Sequence, residues 1–521
     1  MSFPAESSRT LVLHGEPETA ALAHELSLFL KAGDVIALRG DLGAGKTAFA
    51  RALINALATE GDALDVPSPT FTLVQQYDQT RVPVAHFDFY RVREAEEVEE
   101  LGFPALAAEA ALLVEWPENA ADYLPANRLE IAIGDGPDEE SRTVTLAPLG
   151  AWAPRLVRML AIAEFLATSG YGDHRRTFLQ GDASARRYER LTAPDAPDVI
   201  FMDSPEMPDG PAVRHGLPYS QIAHIAEDVR AFVGVDQELR RAGLSAPAIH
   251  AADLDRGLLV IEDLGGEVLQ DMVREAHPGV NLAYEAAVDV LCKIASGSWP
   301  EQVSLHDGSL HHVPPYDPGA LEIEAELLLD WYWPALKGEP CPQETRDAFL
   351  DIWRALWPRL NRHKSVWCLR DYHSPNLIWR GEMTGLARMG VIDFQDAVLG
   401  HPAYDLASLL QDARVDVSPE IEDGMLKRYL AIRSGNDAGF DAAGFLECYA
   451  ILGAQRLTKI LGIFVRLKER DGKPHYLQHV PRLWRYLERT LEAPVLSDLK
   501  HWYEVHLPEQ YREVTVSGGT A

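Results

Sequence analysis

Positive charge is scarce in this chain of 521 residues: 48 lysines and arginines stand against 79 aspartates and glutamates, a formal net charge of -31. Such a deficit argues against a non-specific binder of nucleic acid or anionic membrane, since either needs a basic face. It leaves room for RNA-related work done through partner proteins. Cysteine is scarce as well. The four present (Cys292, Cys341, Cys368, Cys448) are scattered without a CxxC pair, so buried free thiols are expected in place of disulfides or a zinc site. The first ten residues lack the basic and apolar stretches of a secretory signal. No run of 18 apolar residues occurs either, so no membrane span and a cytoplasmic location are expected.

What is present is ordinary for a globular protein, with 47% hydrophobic and 24% charged residues, and wholesale disorder is excluded. The length is too great for one hydrophobic core and predicts two or three domains. Strand-like runs at 10–14, 34–38, 71–77, 82–87, 111–114 and 128–133 alternate with helical stretches, which implies an α/β sheet covered on both faces. The acidic turn Gly134–Ser141 and one more strand at 143–146 close this unit, and helical periodicity resumes from Ala151. The expected division is a P-loop domain over 1–148, a linker over 149–154, and a bilobal α+β unit with a strand-rich lobe over 155–263 and a mainly helical lobe over 264–521.

Gly40-Asp41-Leu42-Gly43-Ala44-Gly45-Lys46-Thr47 fits GxxxxGK[ST], directly after an apolar strand and before a helical stretch. Glycines let the loop backbone turn several N–H groups inward onto phosphate oxygens, and the following helix adds its positive end. Lys46 is expected on the β- and γ-phosphates of ATP and the Thr47 hydroxyl on Mg²⁺. Two acids end neighbouring strands, Asp88 in VAHFD and Glu115 in ALLVE. One would anchor the metal and the other orient the attacking water, in either order.

GDLGAGKT, VPSPTFTLVQQY (66–77), HFDFYRV (86–92) and VEWPE (114–118) together resemble TsaE, the ATPase subunit of bacterial tRNA threonylcarbamoyladenosine synthesis. The likeness covers almost all of residues 1–148. It implies a switch-like loop at Ser68-Pro69-Thr70-Phe71, functional roles for Thr47, Asp88 and Glu115 with Trp116 packed beside them, weak ATP hydrolysis, and work within a complex of partner subunits. The acidic run Glu94–Glu100 reads as a solvated helix face.

The rest of the chain holds no second GxxxxGK[ST]. Instead Leu369-Arg370-Asp371-Tyr372-His373-Ser374-Pro375-Asn376 sets an Asn five residues after an Asp, and VIDFQD brings Asp393 seventeen residues later. That is the spacing of a kinase catalytic loop and its metal-binding acid. Asp371 would accept the proton of a substrate hydroxyl, while Asn376 and Asp393 would hold the Mg²⁺ bridging the ATP phosphates. Upstream, Gly181 within QGDASARRY reads as a phosphate-covering turn, and Leu258–Asp263 as the strand entering the interlobe hinge. GDAS-x-RRY, LRDYHSPNLIW and VIDFQDAVLGHPAYDLASLL together resemble the aminoglycoside-phosphotransferase superfamily, and within it the N-acetylmuramate/N-acetylglucosamine kinases of cell-wall recycling. The likeness implies phosphorylation of an amino sugar at its anomeric hydroxyl, with Asp405 bracing the catalytic loop. One departure is that Val199–Asp203 lacks the lysine that grips the α- and β-phosphates in kinase folds. Arg187 or Arg186 is the expected substitute.

The whole therefore reads as a fusion of two ATP-using enzymes. Three alternatives stay open: a nucleotide-dependent interaction module at the N-terminus, an antibiotic kinase with Asp317, Glu322, Glu324 and Glu326 lining its acceptor pocket, and a pseudokinase. His311-His312 is expected in a loop facing surface or substrate, and Trp331-Tyr332-Trp333 in helix packing.

Overall fold

A computed structural model describes residues 8–59, 63–94, 96–179 and 186–512. The chain divides into two compact units, one of Met1–Phe178 with Leu191–Asp195, the other of the remaining residues.

The first unit is built on a seven-stranded sheet. Its strands are β1 (Arg9–His14), β2 (Val35–Arg39), β3 (Val74–Tyr77), β4 (Val84–Asp88), β5 (Ala111–Glu115), β6 (Arg128–Asp135) and β7 (Ser141–Leu149), in the order β1-β7-β6-β2-β5-β4-β3. The centre, β6-β2-β5-β4, is parallel, and antiparallel strands close both edges. Alternation along each strand separates two cores. Ile36 and Leu38 of β2 pack with Leu113 on one face, whereas Val35 and Ala37 pack with Leu112 and Val114 on the other. Helices α1 (Glu16–Ser27) and α2 (Lys46–Leu57) cover the first face through Leu26, Phe49 and Leu53. Two short helices, α3 (Glu96–Glu100) and α4 (Phe103–Glu109), cover the second through Val98 and Phe103.

Helix α5 (Trp152–Thr168) follows the expected boundary near residue 150 and lays Trp152, Leu156 and Met159 into the core of the first unit. Those positions lie on one helical face. Arg155 pins the helix by pairing with the buried Asp34 at 2.6 Å.

The second unit has a strand-rich part in which Ile249–Asp253, Leu258–Glu262 and Ala196–Asp203 lie side by side in that order. Beyond Leu269 it is mainly helical and packs as one large core. At its centre runs the helix Ala442–Glu469. This helix is long and apolar enough to cross a membrane, yet 89% of its most apolar window is buried within the fold. Gly462 lets it approach a neighbour closely, since a Cβ there would meet the Leu327 carbonyl oxygen at 2.3 Å. Just beyond that carbonyl, Leu328–Tyr332 widens into a π-helical turn. The Tyr332 hydroxyl accepts from Trp484 Nε1 at 2.8 Å, so the aromatic patch includes a packed helix junction, as expected.

His311 and His312 do not lie in a loop. They sit on the strand Leu310–His312, paired with Gln302–Ser304, and His311 is packed against Gly234. Burial lowers its pKa from the usual histidine value. The four cysteines carry no disulfide.

Candidate functional sites

In the first unit the site grows from the carboxyl ends of three adjacent parallel strands. Register sets Leu38 of β2 and Asp88 of β4 beside Glu115 of β5. The chain leaving β2 curls through Gly40, Gly43 and Gly45, all at positive φ, and enters α2 at Lys46. Gly40 is obligatory: a Cβ there would lie 2.3 Å from the Ile133 carbonyl oxygen of β6. Asp41, Leu42 and Ala44 complete the loop, with Leu42 80% exposed at its rim.

Lys46 donates from Nζ to the carbonyls of Gly40 and Asp41 at 2.7 and 2.9 Å, and lies 3.8 Å from the centroid of the Trp116 ring. Burial pushes its pKa down from the usual lysine value, against the opposing pull of Glu115, Glu118, Asp88 and Asp41. Thr47 Oγ1 donates to Glu115 at 2.8 Å. His86 Nε2 lies 3.0 Å from the same Glu115 oxygen and is wholly buried. Asp88 accepts from the hydroxyls of Ser68 and Thr70 at 3.0 and 2.7 Å and from the Tyr90 N–H at 2.9 Å. The segment expected to act as a switch is therefore tied to the expected metal acid, and Phe71 beside it is 87% exposed. A groove of about 630 Å³ opens next to the loop between α1, α2 and the β6–β7 hairpin, lined by Gly15, Ala44, Gly45 and Asn55.

In the second unit, the strands Leu377–Trp379 and Met389–Val391 pair as a hairpin behind the catalytic loop. Asn376 Nδ2 donates to the Asp371 carbonyl at 3.0 Å and lies 3.3 Å from Asp393 Oδ2. Arg186 Nη1 and Gln395 Nε2 both donate to Asp393 Oδ1, at 3.1 and 2.9 Å. Arg187 sits elsewhere, 3.3 Å from the buried Glu189 and 3.4 Å from Asp203. Asp405 takes the backbone N–H groups of Leu369 and Arg370 at 2.7 and 2.9 Å, and thereby holds the loop from behind. Gly181 lies outside the described residues.

Two cavities meet at this loop. One, of about 620 Å³, runs under the expected hinge strand and is walled by Tyr188, Ile200, Phe232, Ile261 and Leu264. The other, of about 560 Å³, contains Asp371. Asn376 and Asp393 line both. A slot with apolar side chains under the hinge strand on one side and a chamber holding Asp371 on the other suit a nucleotide and a small polar acceptor.

The family described as "Threonylcarbamoyl adenosine biosynthesis protein TsaE" matches residues 13–144, and the "Phosphotransferase enzyme family" matches residues 175–445. The N-acetylmuramate/N-acetylglucosamine kinase of Caulobacter vibrioides is 42% identical over 373 residues, which is 68% of this chain and 98% of that protein. The TsaE of Bacillus subtilis is 39% identical over 134 residues, 26% of this chain and 81% of that protein. The chain belongs to both families. A second kinase relative, from Pseudomonas aeruginosa, is 32% identical over 358 residues, covering 67% of this chain and 94% of its own length. The fold is accordingly a TsaE-family domain followed by a phosphotransferase-family domain, both of ATP-using enzyme families.

Several residues at these sites escaped sequence reasoning. In the TsaE domain His86 sits two positions before Asp88 and so on the same face of β4, a period-two signal inside a motif already recognised. In the phosphotransferase domain no local signal marks Lys459 or its meeting with Glu324 and Arg370. They meet across long separations, with Glu324 Oε1 accepting from Lys459 at 2.6 Å and from Arg370. Lysine and arginine outweigh burial and hold the Glu324 carboxyl down to about 2. The other acids suggested for a cationic antibiotic are also occupied. Glu322 pairs with Arg354 and Arg214, Glu326 with Arg214, and Asp317 caps a helix while facing His224.

Proposed function

We propose that the TsaE domain hydrolyses ATP in support of tRNA threonylcarbamoyladenosine synthesis, together with partner subunits. The observation that carries this is the Thr47–Glu115–His86 chain at the mouth of the phosphate loop. Thr47 and the two acids form an all-oxygen donor set, the kind Mg²⁺ takes. Bound there, the ion would neutralise charge between the β- and γ-phosphates. Lys46 would leave the Gly40 and Asp41 carbonyls for the phosphates, and the other acid would orient water for attack. The exposed Phe71 and Leu42 at the rim favour a second reading alongside the first, in which the nucleotide state also governs docking of the partner subunits. Phosphate release measured with and without those subunits separates turnover from docking.

For the second domain the reading is an ATP-dependent kinase that phosphorylates the anomeric hydroxyl of N-acetylmuramate or N-acetylglucosamine. The shared wall of the two cavities carries it, because Asn376 and Asp393 stand between Asp371 and the nucleotide slot. Asn376 and Asp393 offer oxygens that suit Mg²⁺, which would neutralise charge on the transferring phosphate. Asp371 accepts the proton of the sugar hydroxyl as its oxygen bonds to the γ-phosphorus, and ADP leaves. Arg186, through its contact with Asp393, is the cation best disposed to replace the absent kinase lysine on the phosphates. Both reactions consume ATP, and the assigned compartment is the cytoplasm.

The deciding experiment supplies ATP and N-acetylmuramate to Lys46→Ala protein and follows sugar 1-phosphate by phosphorus NMR. Product is expected, and Asp371→Asn should abolish it. No product from folded, ATP-binding protein would remove the amino-sugar assignment.

A further inference from the structure

The helix Ala442–Glu469 turns a row of cations toward the acceptor cavity. Arg456, Lys459 and Arg466 lie at i, i+3 and i+10, one face of a helix. All three line the chamber that holds Asp371, and none lines the nucleotide slot. In a chain of net charge -31 this is a local reversal of sign.

The protein neutralises that row only in part. Glu324 is wholly buried and shares one negative charge between Lys459 and Arg370. Its second oxygen is taken by the Tyr316 hydroxyl and by Gln455 Nε2. Arg456 is buried and donates to the Gln411 carbonyl at 3.2 Å, a neutral partner. The Arg466 guanidinium lies 5.2 Å from the centroid of the Tyr219 ring. Among the described residues no acid lies within 4.0 Å of Arg456 or Arg466.

Six acids share the chamber: burial pushes the carboxyl of Glu227 up from the usual carboxylate range, and the other five are committed elsewhere. Asp371 and Asp393 belong to the transfer step, Asp396 accepts from the Ala226 N–H at 2.7 Å, and Asp228 caps a helix. Asp471 pairs with Arg470 at 2.7 Å, and its charge also acts on Arg466 from beyond ion-pair distance. A cation lining a small-molecule chamber without an acidic partner is a site for an anion on the ligand. ATP phosphates are one source of such charge, but the slot that suits the nucleotide lies on the far side of Asn376 and Asp393.

We propose that Arg466, supported by Lys459, forms a carboxylate subsite for the acceptor, which makes this kinase selective for an acidic amino sugar over a neutral or cationic one. The inference rests on the kinase reading above and deepens it. N-acetylmuramate carries a carboxylate on an ether arm beside the sugar ring, whereas N-acetylglucosamine carries none. A polycationic aminoglycoside would meet like charge there.

The test uses the full-length protein with three acceptors: N-acetylmuramate, its carboxyl methyl ester, and N-acetylglucosamine. Phosphorylation rates and calorimetric binding are both measured. The free acid is expected to exceed the ester by at least about tenfold in kcat/KM, a comparison that needs no variant. Arg466→Gln should shrink that preference to within about threefold, and Arg466→Lys should keep most of it. An undiminished preference in Arg466→Gln, in protein with an unchanged melting curve, overturns the subsite and leaves the kinase standing. So does an equal rise in KM for ATP, which would give the arginine to the nucleotide. If no sugar is phosphorylated, the kinase reading fails alone: tighter binding of acid than ester, lost in Arg466→Gln, still upholds the subsite, and equal binding overturns it.

Discussion

Thr47 Oγ1 donates to both oxygens of the Glu115 carboxylate, at 2.8 and 3.0 Å, so the first residue to follow the phosphate-loop lysine is locked to the end of a neighbouring strand. Removing that hydroxyl with a nearly isosteric side chain tests its chemistry with little change of volume. Thr47→Val should lower ATP hydrolysis by about 10²-fold, and Thr47→Ser should recover most of it. Steady-state phosphate release in the presence of the partner subunits reads the effect.

Asp405 offers two carboxylate oxygens to two backbone donors of the catalytic loop, Leu369 and Arg370. Asn in its place offers one oxygen, so one buried N–H loses its acceptor. Asp405→Asn should reduce kcat for the sugar by at least about tenfold with a smaller change in KM for ATP. Initial-rate kinetics at saturating and limiting ATP distinguish this from loss of nucleotide binding.

Asp236 lies buried on the helix Val229–Arg241, with Oδ1 unpaired, and burial pushes its carboxyl up to about 7 despite nearby Arg240. Glu262 adds to the rise. A raised folded pKa means that full stability holds below the unfolded value near 4 and is lost as pH climbs toward 7. Asp236→Asn should therefore raise the melting temperature at pH 8, by a free energy on the order of 2–4 kcal/mol, and give no such gain at pH 4. Thermal melts across that range check the sign.

Gly40 stands at φ 147 with a backbone carbonyl 2.3 Å from where a Cβ would go. Gly40→Ala must shift either the loop or β6. It should cost about 2 kcal/mol or more and weaken ATP binding by at least about tenfold, measured by calorimetry. The same change at Gly43, where a Cβ meets nothing within 4 Å, should disturb neighbouring backbone less.

The phosphate loop and the Asp371–Asn376–Asp393 set were legible because each is compact in sequence and its chemistry dictates its spacing. The central strands were legible because burial on both faces leaves nearly continuous apolar runs. Contacts between distant residues were not. Nothing near Glu324 announces Arg370 or Lys459, and the acidic run around it looked like a wall for a cationic ligand until the arginines opposite came into view. Helix α5 carries an apolar stripe that fixes amphipathicity but not which core receives it. Arg186 and Arg187 are neighbours with equal propensity for the role of the absent lysine, and only the geometry sends one to Asp393 and the other to Glu189 and Asp203. Sequence alone did not separate N-acetylmuramate from N-acetylglucosamine, since that difference depends on which side chains of a central helix face the chamber.

The two chambers of the phosphotransferase domain share a wall in which Asn376, Asp393 and Arg414 face both sides. Donor and acceptor oxygens can then approach phosphorus from opposite directions at once. If the proposed transfer is direct, a chiral phosphate should leave with its handedness inverted, and a ternary complex should form before either product departs.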